Sequence, residues 1–242
     1  MISKIFFRSL FLQAVWNYEK LQSEGFLFSI FPKLKELYTN EEKLRESCRR
    51  HQGYFNTHPY MSLFILGTVA RLEEDIKNGK PGAEERMARY KLQMGGPLAA
   101  LGDKLFWSNW RPIVCLIGII GFFMEWRPYY LIPLIFILLY NIPVLIFKQK
   151  ALMETYNKRT DIARIIRAIN SNLIVKILPI IMLLAVGIIL FMGVSKWGIN
   201  RGLLLIVLTF AVAFVRKYTK TTEIRLFYII SCLTILGRLI LF

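Results

Sequence analysis

The chain is poor in the residue types on which metal and nucleophile chemistry depends. It holds three cysteines and two histidines in 242 residues. The cysteines (Cys48, Cys115 and Cys232) lie far apart without a Cys-x-x-Cys spacing, which argues against a zinc site and against a disulfide framework. The sequence also shows no nucleophile–base pair and no phosphate-binding glycine loop. We therefore expect no catalytic residue, no metal site and no cofactor.

Acidic residues are outnumbered as well. Asp and Glu total 16 against 32 Lys and Arg, which gives a net charge of +16. At 55% hydrophobic residues and a mean hydropathy of +0.44, the chain is too apolar for an ordinary soluble domain. A basic excess can bind nucleic acid or anionic lipid. Here the basic residues bracket long apolar runs and form no stripe with stacking aromatics, so we predict a membrane environment and no nucleic-acid partner. The first twelve residues show no secretory signal.

Residues 3–31 are apolar and rich in aromatics, and Pro32 follows them, so the pattern predicts one helix that ends at Pro32. Ser9, Gln13 and Asn17 recur at steps of four and would share one face of that helix. Such a polar row can hydrogen-bond either the hydroxyls of a sugar or a partner helix. The residues alone leave both interpretations open.

Residues 33–52 are charged and predict a solvated helical hairpin on the cytoplasmic side. Thr39 or Asn40 is a candidate N-cap before Glu41 and Glu42. The pattern places His51 at the surface.

Two later stretches combine apolar sequence with helix-breaking and polar residues. In residues 94–112, glycines and a proline interrupt an apolar run that contains Asp103 (Gly95, Gly96, Pro97 and Gly102). In lipid, irregular backbone needs protein or a water-filled cavity around it, and interrupted segments point to a transport site. The alternative is a cytoplasmic turn with a solvated Asp103. Asn56, Thr57 and His58 precede Pro59; either Thr57 or His58 is an N-cap, or the broken helix start presents Asn56 and His58 to a cavity.

The carboxyl-terminal half predicts plain membrane helices at residues 110–124, 129–147, 173–194, 203–215 and 226–242. Basic loops at 148–167 and 216–225 lie inside by the positive-inside rule. We predict an all-α polytopic membrane protein. Residues 1–112 form an amino-terminal helical region of re-entrant or broken helices or of cytoplasmic hairpins. About four to five transmembrane helices fill residues 113–242, with a basic cytoplasmic linker at 148–172.

Four motifs carry a resemblance to a known family. They are RSLFLQAVWNYEKLQSEGF at 8–26, FNTHPYM at 55–61, GGPLAALGDKLFWSNWRPI at 95–113 and NIPVLIF at 141–147. In their order and spacing, over about residues 1–150, they resemble the IID component of the mannose-family phosphotransferase system. The resemblance implies a subunit of the bacterial inner membrane that pairs with a IIC subunit in a hetero-oligomer and translocates a hexose.

In that scheme soluble IIA and IIB components pass phosphate between histidines and on to the sugar, while IID carries no phosphohistidine. The resemblance implies that Gln13 and Asn17 line the sugar path, with His58 and Asp103 as further candidates. The side-chain amides of Gln13 and Asn17 would hydrogen-bond sugar hydroxyls. His58 and Asp103 would either contact the sugar or anchor loops.

The sequence departs from the family pattern in two places. Gly-Asp-Lys stands where the family usually has Gly-Asp-Ser, so Lys104 adds a charge beside Asp103. Beyond Phe147 the resemblance fades, and the chain is shorter than we expect of the family. A reduced IID with a regulatory or scaffolding role and no transport is therefore an alternative. Binding of anionic lipid or nucleic acid through residues 148–167 is a third hypothesis, although positive-inside topology accounts for that run.

Overall fold

The computed structural model describes residues 2–124, 131–157, 162–198 and 207. These residues form nine α-helices, one π-helix and no named strand, which confirms the all-α prediction. The helices are α1 (Ile2–Ser9), α2 (Ser23–Leu37), α3 (Glu41–Arg49), α4 (Ser62–Lys77), α5 (Ala83–Gly102), π1 (Asp103–Trp110), α6 (Arg111–Phe123), α7 (Ile132–Tyr156), α8 (Ile162–Ser171) and α9 (Leu173–Trp197).

Helix α4 lies at the centre of the core and packs against α2, α5 and α7. Its residues 62–70 are all buried, as expected for a helix that is apolar around its whole circumference. Gly67 permits a close approach of α4 to α7. A Cβ atom at this position would lie 2.8 Å from the carbonyl oxygen of Leu152 in α7 and would clash with the hydroxyl of Thr155. The α4–α7 contact therefore depends on the absence of a side chain at residue 67.

The single helix predicted for residues 3–31 is wrong. Helix α1 ends at Ser9, and residues 10–16 form tight turns with hydrogen bonds to the residue three positions earlier. The chain then doubles back, so that Gly25 of α2 packs directly on the backbone of Leu12. A single straight helix could not make this contact.

Pro32 does not end α2, which continues to Leu37. Proline has no N–H, so the carbonyl of Phe28, four residues earlier, loses its intrahelical partner. The guanidinium of Arg8 in α1 donates to that carbonyl at 3.2 Å and lies 4.6 Å from the centre of the Phe28 ring. A donor from a neighbouring helix therefore satisfies the group that the proline frees.

The interrupted stretch at residues 94–112 is helical throughout. Helix α5 contains Pro97 and runs directly into π1 and α6. At the end of π1 the N–H of Arg111 donates to the carbonyl of Phe106, five residues earlier, which is the hydrogen-bond pattern of a π-helix. The side-chain amide of Asn109 also donates to the carbonyl of Lys104. The glycines and the proline accompany a change of helical register, and the helix does not break.

By length and composition, two described helices could cross a membrane: α7 (Ile132–Tyr156), and Val175–Lys196 within α9. The predicted bounds of 173–194 match α9 closely, whereas α7 starts and ends later than the predicted 129–147. Residues 148–156, expected in a linker, continue α7, and residues 162–171 form α8. Helix α6 has only 13 residues. The segments predicted at 203–215 and 226–242 lie outside the described residues, apart from residue 207.

We expect Gly67→Ala to lower the thermal unfolding temperature of the detergent-solubilised protein. The added methyl group meets backbone atoms of α7, and overpacking of this kind costs about 1–3 kcal/mol.

The matched control is Gly187→Ala in α9, where a Cβ atom meets nothing within 4 Å. This change should be neutral or stabilising by up to about 1 kcal/mol, because glycine is a poor helix residue. Equal destabilisation by both variants would contradict the assignment of Gly67 to a close helix contact.

Candidate functional site

Three of the sequence motifs meet around Thr57. The side chain of Gln22 donates to the carbonyl of Thr57 at 2.7 Å and accepts from its N–H at 3.1 Å. The hydroxyl of Thr57 donates to the carbonyl of Gly95 in α5 at 3.0 Å. All of these groups are buried, so each hydrogen bond replaces one that water would otherwise make. Segment 55–58 is therefore fixed between the turn before α2 and the face of α5.

His58 lies at the end of this segment in a box of aromatic rings. Its ring stacks on Phe106 with 5.5 Å between ring centres, and the rings of Trp107 and Tyr60 lie at 4.7 and 4.9 Å. Gly102 forms another wall, because a Cβ atom there would overlap the imidazole. Glycine is thus required at residue 102 of the interrupted stretch, because any side chain there would occupy the space of the His58 ring.

The imidazole of His58 is held in one orientation. The N–H of Tyr60 donates to Nδ1 at 3.2 Å, so the neutral ring carries its proton on Nε2. Nε2 is buried and has no hydrogen-bond partner in the described part of the chain. A buried donor without an acceptor costs about 1–3 kcal/mol. Such a group suits a site where a ligand or a second conformation supplies the acceptor.

Asp103 is exposed on π1, immediately after Gly102, and Trp107 lies one turn further along on the exposed side. Lys104 is also exposed. On the other side of the box, the Lys148 ammonium of α7 is buried, donates to the carbonyl of Ser9 at 3.5 Å and lies 5.9 Å from the centre of the Tyr60 ring. His58 therefore lies beside Gly102, the residue that precedes Asp103.

Gln13 and Asn17 do not share a helix face, so the polar row predicted at steps of four is wrong. Gln13 is exposed in the turns after α1. The side-chain oxygen of Asn17 accepts from the N–H groups of Glu19 and Lys20 at 3.1 and 2.7 Å. Asn17 thereby shapes the turn that leads to Gln22. Its contact with a sugar, like that of the other three candidates, stays a prediction.

The structure also contains a buried cluster of charged side chains, which the sequence does not reveal because its members are far apart in the chain. Glu73 of α4 is fully buried and binds Arg50 at 3.0 Å and His51 at 3.0 Å. The hydroxyl of Tyr38 donates to the same carboxylate at 2.8 Å. The ammonium of Lys91 in α5 lies 3.4 Å from Nδ1 of His51. His51 is therefore buried, and its predicted surface position is wrong. The nearby prediction of an Asn40 cap is confirmed by its bonds to Glu42 and Lys43.

The charges in this cluster follow from burial and pairing. Burial alone would raise the pKa of Glu73, but hydrogen bonds from His51, Arg50 and Tyr38 outweigh it and lower the pKa. Burial, together with the charge of Lys91, lowers the pKa of His51. Burial lowers the pKa of Lys91 to about 8, against the attraction of Glu73. At neutral pH the cluster thus holds an ionised carboxylate beside a neutral histidine.

One face of α5 collects these contacts. Lys91 faces His51, Gly95 accepts from Thr57, and Gly102 packs on His58. The three α5 positions follow a helical spacing of four and seven residues, so they lie along one side of the helix. Segment 51–58 is therefore docked along α5 from the charged cluster to the aromatic box. Among the described residues, no three His, Cys, Asp or Glu side chains group to hold a metal ion.

Comparison with known proteins identifies the family. Residues 1–195 match the family described as the PTS system mannose/fructose/sorbose family IID component. The chain belongs to this family. The match reaches beyond residue 150, where the motif resemblance was expected to fade. The IID membership, and with it a place among the membrane components of a sugar phosphotransferase system, confirms what the motifs indicated.

Individual relatives agree. The mannose-specific EIID component of Escherichia coli K12 is 35% identical over 164 residues, which is 67% of this chain and 57% of that protein. The sorbose-specific EIID component of Lacticaseibacillus casei is 28% identical over 80% of this chain and 66% of its own length. The chain thus spans less than two thirds of the length of both relatives.

Two solved structures share the fold. A cryo-EM structure of the mannose transporter ManYZ with microcin E492 superposes with a TM-score of 0.61 at 27% identity, over 98% of this chain and 93% of the matched chain. A structure described as a membrane protein superposes with a TM-score of 0.77 at 26% identity and the same coverage. The similarity to these structures therefore extends along almost the whole chain.

We expect Glu73→Gln to destabilise the IID fold by about 3 kcal/mol, because it leaves the cation of Arg50 without its buried partner. Thermal or denaturant unfolding in detergent measures this loss.

Glu46→Gln is the control, since Glu46 approaches the same guanidinium at 4.0 Å but its side chain is 69% exposed. Its effect should stay below about 1 kcal/mol. If the two variants unfold alike, the buried carboxylate does not hold the cluster together.

Proposed function

We propose that this IID protein is the membrane-embedded subunit that translocates a hexose together with a IIC subunit, while IIA and IIB components supply the phosphate. It would reside in the bacterial inner membrane as a multi-pass protein in a hetero-oligomer. Helices α7 and α9 would be two of about four to five spans, and segments 55–72 and 94–106 would enter the membrane as the re-entrant part. Family membership supports the role, and the geometry around His58 supports the site.

The observation that carries the site is the buried Nε2–H of His58, which finds no acceptor among the described residues, in a box whose outer wall is exposed. The carboxylate of Asp103 can accept hydrogen bonds from sugar hydroxyls, and the Trp107 ring can cover the apolar face of a pyranose. His58 orients Phe106 and Trp107 and offers its donor when the Trp107 ring turns aside. Polar groups aimed at an apolar-walled space are what recognition of a hydroxyl-rich substrate requires.

Gln13 and Asn17 enter this proposal differently. Gln13 is exposed and can meet either the sugar or the IIC subunit. The side-chain oxygen of Asn17 already accepts hydrogen bonds within the turn, so only its N–H₂ group is available to a sugar. Neither histidine of the chain presents its ring at the surface, since both are at most 2% exposed. Their burial supports a subunit that does not carry phosphohistidine itself.

One observation favours the alternative of a reduced, regulatory or scaffolding IID. Lys104 stands beside Asp103 where the family usually has serine, so a cation lies next to the carboxylate proposed to contact the sugar. A subunit that keeps the surface for assembly but has lost transport activity would bind IIC and would not transport any hexose.

The deciding experiment measures formation of phosphorylated sugar in membranes that hold this chain with its cognate IIC subunit, supplied with phosphorylated IIB. We expect Asp103→Asn to lower the rate about tenfold or more, because a hydrogen bond to a charged group contributes about 1.5–3 kcal/mol. Asp75→Asn, the same change at the end of α4, should leave the rate unchanged.

Gln13→Ala and Asn17→Ala should both reduce uptake, and Asn17→Asp separates the two roles of Asn17. The aspartate keeps the oxygen that accepts from Glu19 and Lys20 but loses the N–H₂ donor. Low uptake with Asn17→Asp supports a contact with sugar, and full uptake assigns Asn17 to the turn alone. Stable co-purification with IIC but no phosphorylation of any hexose would refute the transport proposal in favour of the scaffolding role.

A further inference from the structure

An open cleft of about 590 Å³ is lined by residues of α7 and α8, near the carboxyl-terminal end of α7. Its apolar lining includes Phe147, Ile165 and Ile169. Its polar lining includes Lys150, Arg164 and Glu154. The volume lies within the range of sites for small organic ligands, about 300–1,000 Å³. The cleft is thus amphiphilic, with charges beside an apolar wall.

The charged lining suits a phosphate group. Two cations and one carboxylate leave it one unit positive. Arginine binds phosphate oxygens through two parallel N–H donors, and lysine adds a point charge. The cations come from different helices, so an anion between them would join α7 to α8. Both side chains are exposed and therefore accessible to a ligand.

The apolar wall indicates a lipid more than a free anion. Helix α7 is one of the two described helices that are long and apolar enough to cross a membrane. Phe147 lies on it before the charged residues Lys150 and Glu154. An acyl chain can therefore lie along the membrane part of α7 while the headgroup reaches Lys150. Basic residues on this side of a membrane helix face the cytoplasm and its anionic lipids.

The described cations of the basic run at residues 148–167 do not all lie on the same surface. Lys148 is 4% exposed and points to Ser9 and Tyr60, away from the cleft. Arg167 is exposed on α8 but does not line the cleft. Lys150 and Arg164 alone among these four cations share the cleft. The arrangement is a local site and differs from a uniformly basic surface.

We propose that this cleft binds the headgroup of an anionic glycerophospholipid, with Arg164 and Lys150 on the phosphate and the acyl chains against Phe147, Ile165 and Ile169. The bound lipid links α8 to α7. This site is separate from the sugar site around His58, and its existence does not depend on transport.

Native mass spectrometry of the full-length protein in detergent tests the proposal by titration with phosphatidylglycerol, phosphatidylcholine and glycerol 3-phosphate. We expect Arg164→Gln and Lys150→Gln each to weaken phosphatidylglycerol binding about fivefold, the loss of one cation–lipid attraction. Binding of phosphatidylcholine should change little. Arg167→Gln removes the same charge from the same helix outside the cleft, so it should leave the affinity within about twofold of the wild type.

Each other outcome overturns the proposal. Equal weakening by Arg167→Gln and Arg164→Gln would show diffuse attraction to the basic surface. Equal binding of the two lipids would show that the cations do not recognise the headgroup. If glycerol 3-phosphate displaces phosphatidylglycerol at matching concentrations, the cleft is a site for small phosphates and not for lipid. None of these results bears on sugar phosphorylation, so failure here leaves the transport proposal to its own test.

Discussion

The buried carboxylate of Glu73 sets the arrangement of the amino-terminal half. It is bound by Arg50, His51 and Tyr38, and through His51 it reaches Lys91 of α5. Because the desolvation of such a group is offset only by several well-placed donors, the elements that supply them can adopt few other arrangements. The rest of α5 follows from this anchor. Gly95 and Gly102 lie further along the same helix face, so the position of the aromatic box around His58 depends on a charge cluster several turns away.

The features that could be predicted from the sequence depend on residues that are close together in the chain. The Asn40 cap was predicted because an N-cap needs only its own helix start, and the bounds of α9 were predicted because its apolar run is uninterrupted. The charged cluster could not be predicted in this way. His51 stands among charged neighbours that are typical of a surface, and its partner Glu73 lies 22 residues further on, at the polar end of an apolar helix.

The errors in the first thirty residues have a different origin. Pro32 normally predicts a helix end because a freed carbonyl is costly, but here Arg8 satisfies it from another helix. The positions Ser9, Gln13 and Asn17 fit a helical spacing, yet the chain reverses between them so that Gly25 can pack on Leu12. In both cases a tertiary contact outweighs a local preference, and the contacting residue gives no signal in the sequence around it.

The π-helix at residues 103–110 bears on how IID proteins can diverge. Each hydrogen-bonded ring of a π-helix encloses one residue more than a ring of an α-helix. Loss of one residue here would let π rings become α rings, while α5 keeps its contact with segment 51–58 and α6 its contact with α9. A one-residue gap at this place in an alignment of IID proteins would therefore mark a change in helical register within a conserved architecture. Gaps elsewhere along α5 would instead rotate Gly95 and Gly102 away from their partners.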